Sequence, residues 1–169
     1  YGIGCDSANT EAIERLFLIK KREQSKRIAL LASSIEMAER VALIDPSLCR
    51  GFELLWPGAL TAVFKLRLSQ GTVGIRIPND TFTLTLIERF RKPISVTSAN
   101  ISGEKISGKV EAIVRALGNE AIDCIIDAGD LPDSMASTVV DFSTRPFHIL
   151  RQGPVEKQLL EDIFRVSFQ

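Results

Sequence analysis

The chain has 169 residues, 45% of them hydrophobic, enough for one domain with a core of its own and no need of disulfides. Its formal net charge is zero, 21 basic against 21 acidic residues, so any grip on phosphate or RNA must come from local clusters. Three scattered cysteines (Cys5, Cys49, Cys124) and a single histidine, His148, leave no set for a zinc site and point to a reducing, cytoplasmic setting; no apolar run is long enough to span a membrane.

In chain order, apolar spacing predicts a helix over 10–20, capped by Thr10, with Ile13, Leu16, Phe17 and Lys20 on one face. A short buried strand follows over 27–32. Ser33 and Glu36 form a capping box for the next helix, with Ile35, Ala38 and Val41 inward. Asp45-Pro46 starts another helix. Residues 60–68 and 72–77 read as strands. Asp80 caps a helix through Phe90 that buries Phe82, Leu86, Ile87 and Phe90 and ends at Pro93; 94–96 is a strand. The Gly/Ser/Lys-rich stretch 102–109 is a loop and a candidate for mobility. A helix over 110–117 stops at Gly118. Residues 124–127, 138–142 and 147–150 read as strands, and 154–164 as a last helix. Strands and helices that do not strictly alternate imply an α/β domain with a mixed sheet.

Several clusters carry chemistry. Lys20, Lys21, Arg22, Lys26 and Arg27 crowd the step from the first helix to the next strand; they suit phosphate, and equally suit a solvated helix end. Arg76 lies in Val73-Gly74-Ile75-Arg76-Ile77-Pro78 at a strand end, where a guanidinium can grip a carboxylate or phosphate through two parallel hydrogen bonds. Alternation alone would also place it on a solvent face. Thr97-Ser98-Ala99-Asn100 presents small hydroxyls and an amide at the end of a strand, either to a nucleotide or simply to close a turn. Ser137-Thr138 and Arg151-Gln152-Gly153 sit at two further strand ends. The sequence has no Gly-x-Ser-x-Gly and no Gly-Lys-Ser/Thr, and His148 lies in an apolar strand, so neither a serine triad nor a P-loop is supported.

Taken in order, Tyr1-Gly2-Ile3-Gly4-Cys5-Asp6, Lys20-x-Arg22, Trp56-Pro57-Gly58-x-Leu60-Thr61, Gly74-x-Arg76-x-Pro78, Ser98-Ala99-Asn100-x-Ser102-Gly103 and Ser137-Thr138-Val139-Val140-Asp141 resemble the YrdC-like family of threonylcarbamoyl-AMP synthases. The resemblance implies a twisted mixed α/β sheet curled around a large basic cavity, over residues 1–169. It implies an ATP-dependent reaction joining L-threonine and bicarbonate into threonylcarbamoyl-AMP, with Mg²⁺ and release of pyrophosphate. Downstream enzymes would then carry the threonylcarbamoyl group to tRNA, next to the anticodon. Residue by residue, the resemblance makes Lys20 and Arg22 catalytic, facing phosphates and carboxylate. Lys26, Thr97, Ser137 and Arg151 would bind substrate or ATP, Ser98, Ala99 and Asn100 would lie on the nucleotide, and Arg76 near threonine. No protein-held metal is implied. The family usually carries Pro-Thr-Asp/Glu-Thr-Val ahead of the Tyr-Gly segment, so a missing N-terminal strand segment is expected. Lys26-Arg27-Ile28 stands where Lys-Pro-Leu is usual, and Ala59 where Pro is usual.

Two other readings compete. One is a module of the same fold that binds double-stranded RNA or a ribosomal precursor without catalysis; zero net charge and few aromatics argue against it. The other is a carbamoyl-transfer domain of hydrogenase maturation, which expects large flanking domains and zinc-finger cysteines.

Overall fold

The structure is a computed structural model that describes residues 1–24, 26–118 and 122–169. Its elements are β1 (Gly2–Asp6), α1 (Thr10–Ile19), β2 (Ala29–Leu31), α2 (Ile35–Glu39), β3 (Ala42–Leu43), a 3-10 turn (Pro46–Leu48), α3 (Cys49–Leu55), β4 (Leu60–Leu66), β5 (Thr72–Arg76), α4 (Thr81–Phe90), β6 (Ile94–Ser98), α5 (Val110–Leu117), β7 (Thr138–Asp141), β8 (His148–Arg151) and α6 (Lys157–Phe164). Among the described residues, side-chain caps start three of the six α-helices and the 3-10 turn. Asp80 Oδ2 accepts from Thr83 N at 2.7 Å, and Asp45 Oδ1 from Ser47 N at 2.9 Å, as expected. Two other caps sit one residue away from the expected ones. Asn9, not Thr10, caps α1 by accepting from Ala12 N at 3.0 Å; Ser34, not Ser33, caps α2 by accepting from Met37 N at 3.1 Å.

The chain divides into two compact units, Tyr1–Ile28 with Ser95–Ser134, and Ala29–Ile94 with Met135–Gln169. In the second, the strand order is β2-β5-β4-β7-β8, with β3 paired to β4. β2 and β5 run parallel, as do β4 and β7, whereas β4–β5, β7–β8 and β3–β4 are antiparallel, so the sheet is mixed as expected. The core of this unit is aromatic. The Phe52 ring stacks on Trp56 at 4.8 Å and meets Phe64, Phe142 and Phe164 edge-on at 5.3, 5.1 and 5.2 Å. Gly51 makes room for it: a Cβ there would lie 2.3 Å from the Phe164 ring.

In the first unit β1 neighbours β6, and the buried apolar cluster is Ala99, Ile113 and Leu117. β1 was not expected as a strand, because two of its five residues are glycine. The glycines bring it close to β6: a Cβ on Gly4 would lie 2.7 Å from Val96 Cγ2 and 2.8 Å from Ser95 O.

Two expectations need correction. α4 buries Ile87 as expected, but with Leu84 beside it, while Phe82, Leu86 and Phe90, spaced four apart, are 54%, 41% and 40% exposed. The helix ends through Arg91 in the left-handed region (φ 62°), two residues before Pro93. Residues 124–127 form no strand. Polar contacts organise the residues that follow: Gly129 N donates to Asp127 Oδ1 at 2.8 Å, and the Tyr1 hydroxyl accepts from Ala128 N at 2.9 Å and donates to Gly129 O at 2.6 Å. Ile125 and Ile126 are exposed.

Candidate functional site

The expected residues gather into two clusters, one in each unit. In the first unit, α1 ends in a Schellman-type reversal. Arg22 N donates to Phe17 O and Lys21 N to Leu18 O, both at 3.0 Å, with Lys21 in the left-handed region (φ 48°). The Lys-x-Arg spacing therefore straddles a turn. Lys20, four residues after buried Leu16, is carried inward on the same helix face and is 1% exposed.

The Lys20 ammonium donates to Ser98 O, to Asn100 O at 2.6 Å and to Asn100 Oδ1 at 3.3 Å. Burial, and then the neighbouring Arg22 guanidinium, pulls it down to about 8. Arg22 donates through Nη2 to Arg27 O at 3.0 Å, while its Nε is buried with no partner among the described residues. Lys26 is exposed, and Thr97 is half-buried on β6.

The turn after β6 is polar and closed on itself. Ser98 Oγ donates to Asn100 Oδ1 at 2.6 Å, and Asn100 Nδ2 donates to Glu104 O at 2.6 Å. Ala99 is buried, and its N–H donates to Tyr1 O at 3.1 Å.

In the second unit, the Trp56-Pro57-Gly58 segment and the end of β5 hold each other. Gly58 N donates to Ile77 O at 2.9 Å, and Arg76 Nε donates to Gly58 O at 2.8 Å. Arg76 makes no other hydrogen bond among the described residues, so its two terminal nitrogens are open to a further acceptor. Burial first, and the Arg151 guanidinium second, lower the affinity of Arg76 for its proton below the ordinary arginine value. Arg151 donates from Nε and Nη2 to Ser137 O at 3.0 and 2.8 Å, and from Nη2 to Ser137 Oγ at 3.2 Å.

Thr61 joins this cluster and was not among the expected site residues. Its Oγ1 lies 2.8 Å from Ser137 Oγ, and both side chains are buried. The signal was in the sequence, since Thr61 closes the Trp-Pro-Gly-x-Leu-Thr segment at the start of β4. Arg76 and Arg151 lie near enough for their charges to oppose one another, and neither is ion-paired with a carboxylate among the described residues, an arrangement whose charge suits an anion. Among the described residues, no group of three or more His, Cys, Asp or Glu is placed to hold a metal ion.

The threonylcarbamoyl-AMP synthase of Pyrococcus abyssi is 31% identical over 96% of this chain and 50% of its own length, so the chain spans about half of that relative. The structure of P. abyssi Sua5 complexed with L-threonine matches with a TM-score of 0.88 at 28% identity, covering 100% of this chain and 52% of that one. Escherichia coli YciO matches with a TM-score of 0.84 at 22% identity, covering 95% and 82%; this likeness shows the fold, an α/β architecture with a twisted mixed sheet that does not close. The Sua5–YciO–YrdC family, described as Telomere recombination, matches residues 1–153, and the chain belongs to it.

Proposed function

We propose that the chain forms threonylcarbamoyl-AMP from L-threonine, bicarbonate and ATP. The observation that carries this reading is the half-buried Arg76, anchored through Nε to Gly58 O at 2.8 Å with no carboxylate partner among the described residues, in a chain 31% identical to a threonylcarbamoyl-AMP synthase. In the reaction, the threonine amine bonds to the bicarbonate carbon as water leaves. A carbamate oxygen then attacks the α-phosphorus, and the bond to the β-phosphate oxygen breaks to release pyrophosphate. No side-chain nucleophile is needed; the protein positions the reactants and stabilises charge.

Arg76 takes the threonine carboxylate. Arg22, Lys26 and Arg151 take phosphate oxygens, with Ser137 oriented by Thr61. Thr97 and the Ser98-Ala99-Asn100 turn present donors to the nucleotide. Mg²⁺ arrives as part of the substrate, chelated by the phosphates of ATP. The product feeds enzymes that transfer its threonylcarbamoyl group to tRNA. The compartment is the cytoplasm, in keeping with the free thiols of Cys5, Cys49 and Cys124; no helix among the described residues is long and apolar enough to cross a membrane.

The test is a mass-spectrometric search for threonylcarbamoyl-AMP after incubation with Mg·ATP, bicarbonate and L-threonine. It should be run on the 169-residue chain and on the same chain with Pro-Thr-Glu-Thr-Val placed ahead of Tyr1. Product from either supports the proposal. Absence of both product and pyrophosphate from the two would overturn it.

A further inference from the structure

Lys20 is buried to 1% exposure, yet no carboxylate among the described residues pairs with it. An ammonium has three N–H donors and no acceptor. Here the three donors meet three oxygens of one turn: Ser98 O, Asn100 O and Asn100 Oδ1. The backbone of the same residue grips the far side of that turn, since Lys20 O accepts from Ser102 N at 2.9 Å. Asn100 is fixed at both ends of its amide, with Oδ1 accepting from Ser98 Oγ and Nδ2 donating to Glu104 O.

We propose that Lys20 is a positioning residue that shapes the Ser98-Ala99-Asn100 turn from within and makes no contact with the nucleotide. This rests on the reading above that the turn serves ATP. The two cations of Lys-x-Arg then divide the work. Lys20 holds the turn, and Arg22, across the left-handed Lys21 with a buried Nε still unpartnered, meets the ligand.

The experiment measures amide hydrogen exchange over residues 98–104 together with ATP affinity, in wild type, Lys20→Met, Lys20→Arg and Arg22→Ala. Lys20→Met removes all three ammonium hydrogen bonds and should speed exchange in this segment at least about tenfold, the worth of one charge-assisted hydrogen bond, and weaken ATP binding in step. Lys20→Arg should rescue neither, because a longer side chain ending in a rigid planar fork does not fit an enclosed position that holds a compact ammonium. Arg22→Ala should weaken ATP binding with exchange unchanged. Lost ATP affinity with unchanged exchange in Lys20→Met, restored by Lys20→Arg, would overturn the proposal, since a phosphate ligand is rescued by charge alone.

Should Lys20→Met not fold, acetylation of wild-type lysines read by mass spectrometry decides the matter. The proposal requires Lys20 to be the slowest and unaffected by ATP; reaction as fast as at exposed Lys21, suppressed by ATP, contradicts it. If wild type binds no ATP, the nucleotide reading fails, while exchange in Lys20→Met and acetylation of the free protein still decide whether Lys20 holds the turn.

Discussion

In the second unit, Phe52, Trp56, Phe64, Phe142 and Phe164 fill the space beneath the strands with touching rings. In the first, the buried apolar cluster is Ala99, Ile113 and Leu117, and the turn after β6 is tied by one ammonium, one amide and one hydroxyl. Apolar contacts are non-directional and tolerate small shifts, whereas a hydrogen-bonded turn is either satisfied or broken. The contrast teaches where each kind of order is useful. The aromatic unit carries its cations on sheet ends and needs a stiff base. The polar unit carries a turn whose geometry must be set atom by atom.

The contrast can be broken most forcefully at Phe52. Phe52→Ala should cost ~3–5 kcal/mol in urea unfolding. The loss of exchange protection should appear first in β4 and β7; equal early loss in β1 and α1 would show that one cooperative body unfolds.

A smaller effect, of ~1.5–3 kcal/mol, is expected from Arg76→Ala, which removes a charge-assisted contact. It should raise the KM for threonine more than that for ATP. Equal loss of both would mean that the residue serves the whole site rather than the carboxylate.

Lys20 offers a test by pH. Burial and Arg22 bring it to about 8 from an ordinary 10.5. Between these values the unfolded chain keeps a proton that the folded chain has released, so stability rises with pH across that window, and below it the full cost of the buried charge is present. Relative to Lys20→Met, wild type should therefore gain in urea midpoint from about pH 7.5 to about pH 9.5. A constant difference would place the titration elsewhere.

The smallest effect is a gain. Lys21→Gly should stabilise by ~1 kcal/mol, because a left-handed residue at a helix end favours glycine; no rise in melting temperature would count against that strain.

Much of the second unit was legible in the sequence. Asp45 and Asp80 declared their helices through short side chains that satisfy backbone N–H groups, and the β-branched and apolar runs of β4 and β5 declared their strands. Gly118, in positive φ, ended α5 as expected. Other features depended on partners far along the chain. The face of α4 was read correctly at Ile87 but not at Phe82, Leu86 and Phe90, because these three and the pair Leu84 and Ile87 both fit a helical spacing, and hydrophobicity alone does not rank them. Residues 124–127 are apolar enough for a strand, but Ile125 and Ile126 are exposed, and the chain just after them is tied by Asp127 and by the hydroxyl of Tyr1, more than a hundred residues away.

The residues of the candidate site were legible as motifs, but their arrangement was not. Nothing in Lys-x-Arg says that the lysine turns inward while the arginine keeps a free nitrogen. That follows from the buried Leu16 one turn earlier and from the reversal at Lys21. Thr61 escaped notice because a hydroxyl at a strand start has many structural uses, and only its 2.8 Å approach to Ser137 gives it one here.

The close approach of β1 to β6 has a bearing on mutational tolerance. Gly4 contributes no side chain and so looks replaceable, yet even a methyl group there meets Val96 Cγ2 at 2.7 Å and Ser95 O at 2.8 Å. The carbonyl cannot shorten, so any substitution must move β1 or β6. β6 runs directly into Ser98 and its turn. A library of variants should therefore show position 4 as intolerant of every side chain, with the damage read out at a turn it never touches.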